Sequence, residues 1–149
     1  MRLLICVFWL SLCNIYTYAV AEVRRELHLS FDLQALDGTQ HPLSQDDRQV
    51  GRAFVFPATS CPISTSYIKE LNRLKETLPR NTELYGVLWK LDITRETART
   101  HFLDYGATFP LLFEASQMMR MALQPTHVPE AFVVAASGEL IYRGAAARA

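Results

Sequence analysis

The chain has 149 residues, half of them hydrophobic, and its 15 basic and 15 acidic side chains leave a formal net charge of zero. That is enough for one domain whose core needs no cross-links. No basic stripe points to nucleic acid and no acidic block points to a solvated tail, and the chain carries no repeat, low-complexity run or linker that would support a second domain.

The first residues read as a leader rather than as part of the fold. Met1-Arg2 gives a short positive start, residues 3–12 are apolar, and Ala19-Val20-Ala21 has the small-x-small pattern that a signal peptidase accepts. We therefore expect residues 1–21 to be a signal peptide and residues 22–149 the mature domain. The apolar run is shorter than the ~20 residues that a spanning helix needs, so no membrane span is expected after cleavage. Cys6 and Cys13 leave with the leader, and Cys61 becomes the single thiol of an exported, periplasmic or extracellular chain. An odd cysteine there stays free, joins another thiol or bridges to a second chain.

Residues 27–33 alternate in strand fashion, and Asp37-Gly38 turns the chain into a second short strand over residues 40–43, which together predict a β-hairpin. A polar connector over residues 45–51 leads to an apolar strand at 53–56. After Pro57, the apolar positions Ile63, Tyr67, Ile68, Leu71, Leu74 and Leu78 fall at helical spacing. Residues 84–91 form the next apolar strand, and the helix between the two strands implies parallel pairing. Thr94 caps a further helix whose apolar face is Ala98, Phe102 and Tyr105 and whose stop is Gly106. Residues 109–113 are a short strand. A short helix at 116–123 carries Met118, Met119 and Met121, read as packing residues rather than as metal ligands. Strands at 131–135 and 139–142 flank a tight turn at Ser137-Gly138.

Cys61 stands where the first core strand hands over to its helix. Unpaired backbone N–H groups and the positive end of the helix dipole favour a thiolate there, and Pro62 suits a first helical turn because its missing N–H has no partner to lose. Two readings follow: a nucleophile, or a small buried core cysteine.

The order of these pieces carries a resemblance. Phe31-Asp32-Leu33, the Cys61-Pro62 turn with Tyr67 behind it, Phe109-Pro110-Leu111-Leu112 and Val128-Pro129-Glu130-Ala131-Phe132, followed by Tyr142-Arg143-Gly144, resemble the thioredoxin superfamily. The branch they most resemble is that of the exported redoxins related to alkyl hydroperoxide reductases and TlpA-like proteins. The resemblance covers most of residues 27–144. It implies an α/β thioredoxin-like fold, with a central mixed sheet flanked by helices and an N-terminal β-hairpin. It also implies that Val128-Pro129 is a cis peptide facing the cysteine and forming the substrate platform.

Departures from the family pattern bear on mechanism. The motif reads Cys61-Pro62-Ile63-Ser64, so the resolving cysteine of a Cys-x-x-Cys pair is absent; Ser64 can steady a thiolate but cannot accept electrons. Pro57 and Thr59 stand too close to Cys61 for a peroxiredoxin pattern, and Pro129 falls where the arginine of that family would be, which leaves a one-Cys peroxidase as a lesser reading. A resemblance to copper-delivering assembly factors would make Cys61 and His127 metal ligands, but Thr65 replaces the second cysteine of that family. His28, His41 and His101 receive no role.

The resemblance thus implies a thiol-disulfide oxidoreductase working through mixed disulfides, with Cys61, Ser64 and Pro129 as its reactive centre and Pro62 and Val128 shaping substrate contact. Its partners would be protein or small-molecule thiols and disulfides, and no cofactor is called for. The rival reading is a redox-inactive binding module on the same fold. Only residues 145–149 follow Gly144, so we further expect part of one sheet face to be bare and apolar, open to a second copy or a partner.

Overall fold

The computed structural model describes residues 27, 29–30, 32–43, 50–89 and 93–146. The leader read over residues 1–21, His28 and most of the connector lie outside the described residues. Strand β3 (Gly51–Phe56) is buried at every position, as a strand covered on both faces must be. β4 (Thr82–Leu88) runs parallel to it on one side, and β6 (Glu130–Ala135) runs antiparallel on the other. β5 (Leu111–Phe113) continues the sheet parallel to β4, and β7 (Leu140–Ala145) continues it antiparallel to β6. The order is β5-β4-β3-β6-β7.

Alternation along these strands divides the core in two, because successive side chains leave opposite faces. Phe54, Phe56, Tyr85, Val87, Phe132 and Val134 point to one side. There they meet Leu33 and Leu43 of the leading hairpin and Met119 and Leu123 of helix α4 (Met118–Leu123). Ala53, Val55 and Leu84 point to the other side and pack on Ile68 and Leu71, and on Ala98 and Phe102 of α3 (Arg95–Asp104). Phe54, Phe56 and Phe132 are fully buried, each contributing about 1.5–3 kcal/mol on burial.

The hairpin pairs β1 (Asp32–Gln34) with β2 (Gln40–Pro42), with Leu33 opposite His41. Gly38 turns it at φ 93°, and the Thr39 amide donates to Asp37 Oδ1 at 2.9 Å. It is tied to the sheet at β5: Ala35 bridges to Leu112, the Leu36 amide donates to Leu111 O at 2.8 Å, and Arg95 Nη1 donates to Ala35 O at 2.7 Å.

Several sequence expectations are corrected. The helix after Cys61 is broken into α1 (Pro62–Ser66) and α2 (Ile68–Thr77). The Ser66 hydroxyl donates to Ile63 O at 2.9 Å, and such back-bonding bends helices. Ile68 and Leu71 are buried and Tyr67 and Leu78 half-buried, but Ile63 and Leu74 are exposed, because the buried stripe runs from Ser64 through Ile68 to Leu71. In α3, Thr94 Oγ1 accepts from the Thr97 amide as the expected cap, whereas Tyr105 lies past the last turn and is exposed. The strand expected at 84–91 runs from Thr82 to Leu88, that at 109–113 is only Leu111–Phe113, and that at 139–142 extends to Ala145. Met119 enters the core, but Met118 and Met121 are exposed. On the face expected to be partly bare, where nothing is corrected, Ala131 and Val133 are half-buried and Tyr142 is exposed, its hydroxyl donating to Ala145 O at 3.1 Å.

Candidate functional site

The carboxyl end of β3 delivers the chain to a tight turn in which the Cys61 amide donates to Ala58 O at 3.1 Å. Cys61 is the N-cap of α1, with φ −105° and ψ 109°, and Pro62 opens the helix. The thiol is free and half-buried. Its two protonation states have different partners. As a thiol, Cys61 Sγ can donate to Val128 O, 3.8 Å away; as a thiolate it accepts from the Ser64 amide, the largest influence on its acidity. That amide, with lesser help from the Ser64 hydroxyl and the Ile63 amide, outweighs burial and lowers the thiol pKa below its ordinary value.

Ser64 is 1% exposed, and its Oγ accepts from the Ala58 amide at 3.2 Å. A hydroxyl has one hydrogen and two lone pairs, so it can hold the preceding turn and still donate towards sulfur. Thr65 closes the first turn from the other side, its amide donating to Cys61 O at 3.2 Å and its hydroxyl to the same oxygen at 3.4 Å. Pro62 and Ile63 are exposed beside the thiol.

The Val128-Pro129 bond is cis, which places Val128 O opposite the Cys61 turn; Val128 is half-buried and Pro129 buried. Thus the structure brings Cys61, Pro62, Ser64 and Val128 together, with Pro129 behind Val128. His127 stands one residue further back, and its Nδ1 lies 3.1 Å from Thr126 Oγ1 and 3.7 Å from Glu130 Oε2.

Sequence reasoning missed the group that holds this loop. Glu130, directly after Pro129, is 2% exposed. Its Oε2 accepts from the Thr126 amide at 2.5 Å and the His127 amide at 3.4 Å, and its Oε1 accepts from Arg143 Nε at 2.8 Å. Arg143 also donates to Gln124 O at 2.8 Å and lies over the Phe132 ring. Burial pushes the Glu130 carboxyl up, but the Arg143 guanidinium and the Thr126 and His127 amides together hold it below the ordinary glutamate value. An acid opening an otherwise apolar strand is the signal that was available, since a buried carboxylate without partners is costly.

His101 was given no role, yet its Nε2 lies 3.3 Å from Thr65 Oγ1, so α3 reaches the first turn after Cys61. Two recesses flank the Thr59-Ser60 turn. One, next to Trp89 and Ile93, is lined by Pro57, Ala58 and Leu88; the other lies between α1 and α3.

No protein-family model and no curated protein matches the chain. Solved structures do. A hypothetical protein of Sinorhizobium meliloti superposes with a TM-score of 0.72 at 18% identity, over 87% of this chain and 74% of that one. The pneumococcal exposed lipoprotein thioredoxin of Streptococcus pneumoniae gives 0.68 at 16% identity, over 81% and 92%. A secreted disulfide oxidoreductase of Mycobacterium tuberculosis gives 0.65 at 15%, over 82% and 89%. With its five-stranded mixed sheet, its leading hairpin and a cysteine at the start of the helix after β3, the chain has the thioredoxin-like fold.

Proposed function

We propose that this chain is an exported thiol-disulfide exchange protein in which Cys61 works alone through mixed disulfides. The observation that carries the reading is the free, half-buried Cys61 at the N-cap of α1, its Sγ 3.8 Å from the Val128 carbonyl, and the Ser64 backbone beside it favours the thiolate. The Cys61 thiolate attacks one sulfur of a partner disulfide; a new S–S bond forms, the old one breaks, and the departing sulfur leaves as a thiolate that takes a proton from solvent. Ser64 has no sulfur with which to repeat the attack. The adduct therefore waits for an external thiol, which releases Cys61 and forms a disulfide with the bound group. Pro62, Val128 and Pro129 shape the surface against which the partner lies. Export is supported by the leader pattern in residues 1–21, with residues 22–149 as the mature domain, and by the secreted and surface-exposed proteins that share the fold.

The test is to mix the reduced protein with small and protein disulfides and weigh the products. The natural chain should accumulate an adduct on Cys61, and Ser64→Cys should release it and gain dithiol reductase activity towards insulin. No adduct, together with slow alkylation of Cys61 at mildly acidic pH and no gain in Ser64→Cys, would replace this reading with the redox-inactive binding module.

A further inference from the structure

Between α1 and α3 runs an open groove of about 540 Å³ lined by Ser60 and Pro62, the two chain neighbours of Cys61. Thr65 and His101, in contact at 3.3 Å, also line it, as do Lys69 and Tyr105. Among the described residues no carboxylate lines the groove. The Lys69 ammonium makes no hydrogen bond or ion pair among the described residues, unlike Lys75 on the same helix, which donates to Thr108 O at 2.6 Å, or Arg73, which pairs with Glu70 at 3.0 Å. Among the described residues the groove therefore offers an uncommitted cation, an imidazole and hydroxyl groups beside the chain neighbours of Cys61, and no carboxylate.

We propose that this groove seats the carboxylate-bearing arm of the group that Cys61 exchanges with, so that the substrate class is anionic thiols and disulfides. The proposal rests on the mixed-disulfide reading and adds which disulfides are preferred. The exchange is balanced as above: the thiolate takes one half of an acidic disulfide, the other half leaves as a thiolate, and the carboxylate of the retained half lies against Lys69 with the groove hydroxyls as donors. Lys69 serves as a binding residue that does not touch the reacting sulfurs.

The experiment compares rates of adduct formation on the full chain with oxidised glutathione, which is anionic, hydroxyethyl disulfide, which is neutral, and cystamine, which is cationic. The rate ratio of oxidised glutathione to hydroxyethyl disulfide should fall about two- to fivefold in Lys69→Gln, the range of an exposed charge pair. It should fall further in Lys69→Glu, with cystamine gaining. The preference should also shrink as salt is raised. Arg80→Gln, an exposed cation outside the groove, removes the same net charge and should leave the ratio as it was. A ratio unchanged in both Lys69 variants while adducts still form overturns the groove assignment alone, as does a ratio that falls equally in Arg80→Gln. Adduct formation with none of the three disulfides overturns the exchange reading and this inference with it.

Discussion

Glu130 shows how a single side chain can hold the surface opposite a reactive thiol. Its carboxylate is almost wholly removed from water, yet it sits among two loop amides, a threonine hydroxyl and one guanidinium, and the guanidinium and the two amides hold its pKa below the ordinary glutamate value. A lowered folded-state pKa stabilises the fold fully above the unfolded glutamate range and is lost as pH falls through the folded value. We expect Glu130→Gln to lower stability at pH 7 by about 1–3 kcal/mol, since it leaves Arg143 without its charge partner and loop donors with a weaker acceptor. Urea denaturation of both proteins should show a gap that is steady from about pH 5 upward and narrows towards pH 3. A gap as wide at pH 3 as at pH 7 would mean that the charge is not what stabilises the loop. Arg143 and His127 are the charged or titratable groups that face the carboxylate, so the same series with Arg143→Gln separates their shares. Cys61 and Pro62 stood out in the sequence by local chain chemistry, and Pro129 through the family resemblance. The sequence did not show Glu130 with Arg143, or Thr65 with His101, because those partners lie 13 and 36 residues apart and meet only through strand register and helix packing.

At the scale of elements, strand type and order were legible where apolar residues ran unbroken, as in β3 and β4. Ends were not: Trp89 continues an apolar run but lies beyond the last paired residue of β4. The helix after Cys61 looked continuous because spacing alone does not reveal a serine that bonds back to its own turn. A further local feature had no sequence signal. Gly86 sits in the middle of β4 opposite Leu111, and a Cβ there would lie 2.6 Å from Leu111 Cδ2 and 3.1 Å from Phe109 Cε2. The missing side chain lets β5 and the Phe109 ring close over the sheet. Gly86→Val should therefore destabilise the domain by about 1–3 kcal/mol through overpacking, in spite of the β propensity of valine. Thermal or urea unfolding would read this, and an unchanged midpoint would mean that Leu111 and Phe109 yield freely.

Across the whole molecule, the two edges of the sheet are finished differently. β3 and β4 each have a strand on both sides, and β5 is backed by the Ala35–Leu112 bridge, whereas among the described residues nothing pairs with the outer side of β7. Native-state hydrogen exchange should accordingly be slowest in β3 and β4 and fastest in the outward amides of β7, by the gradient expected between interior and edge segments. Protection in β7 equal to that in β3 would show that the outer side of β7 is covered. The thioredoxin-like layout itself was readable from the order of the pieces, but this asymmetry was not, since the bridge depends on where the hairpin lands in space.

That bridge also limits how copies of the chain could ever join through their sheets. A strand edge with unpaired amides and carbonyls is a template for another edge, and a sheet open on both sides can add copies without end. Here Ala35, with the Leu36 amide on Leu111 O, occupies the β5 side, so of the two edges of the five-stranded sheet only β7 is without a partner among the described residues. Pairing of two copies through the free edge of the five-stranded sheet would close as a two-fold pair, β7 against β7, and extending that sheet beyond β5 would first have to lift the hairpin away.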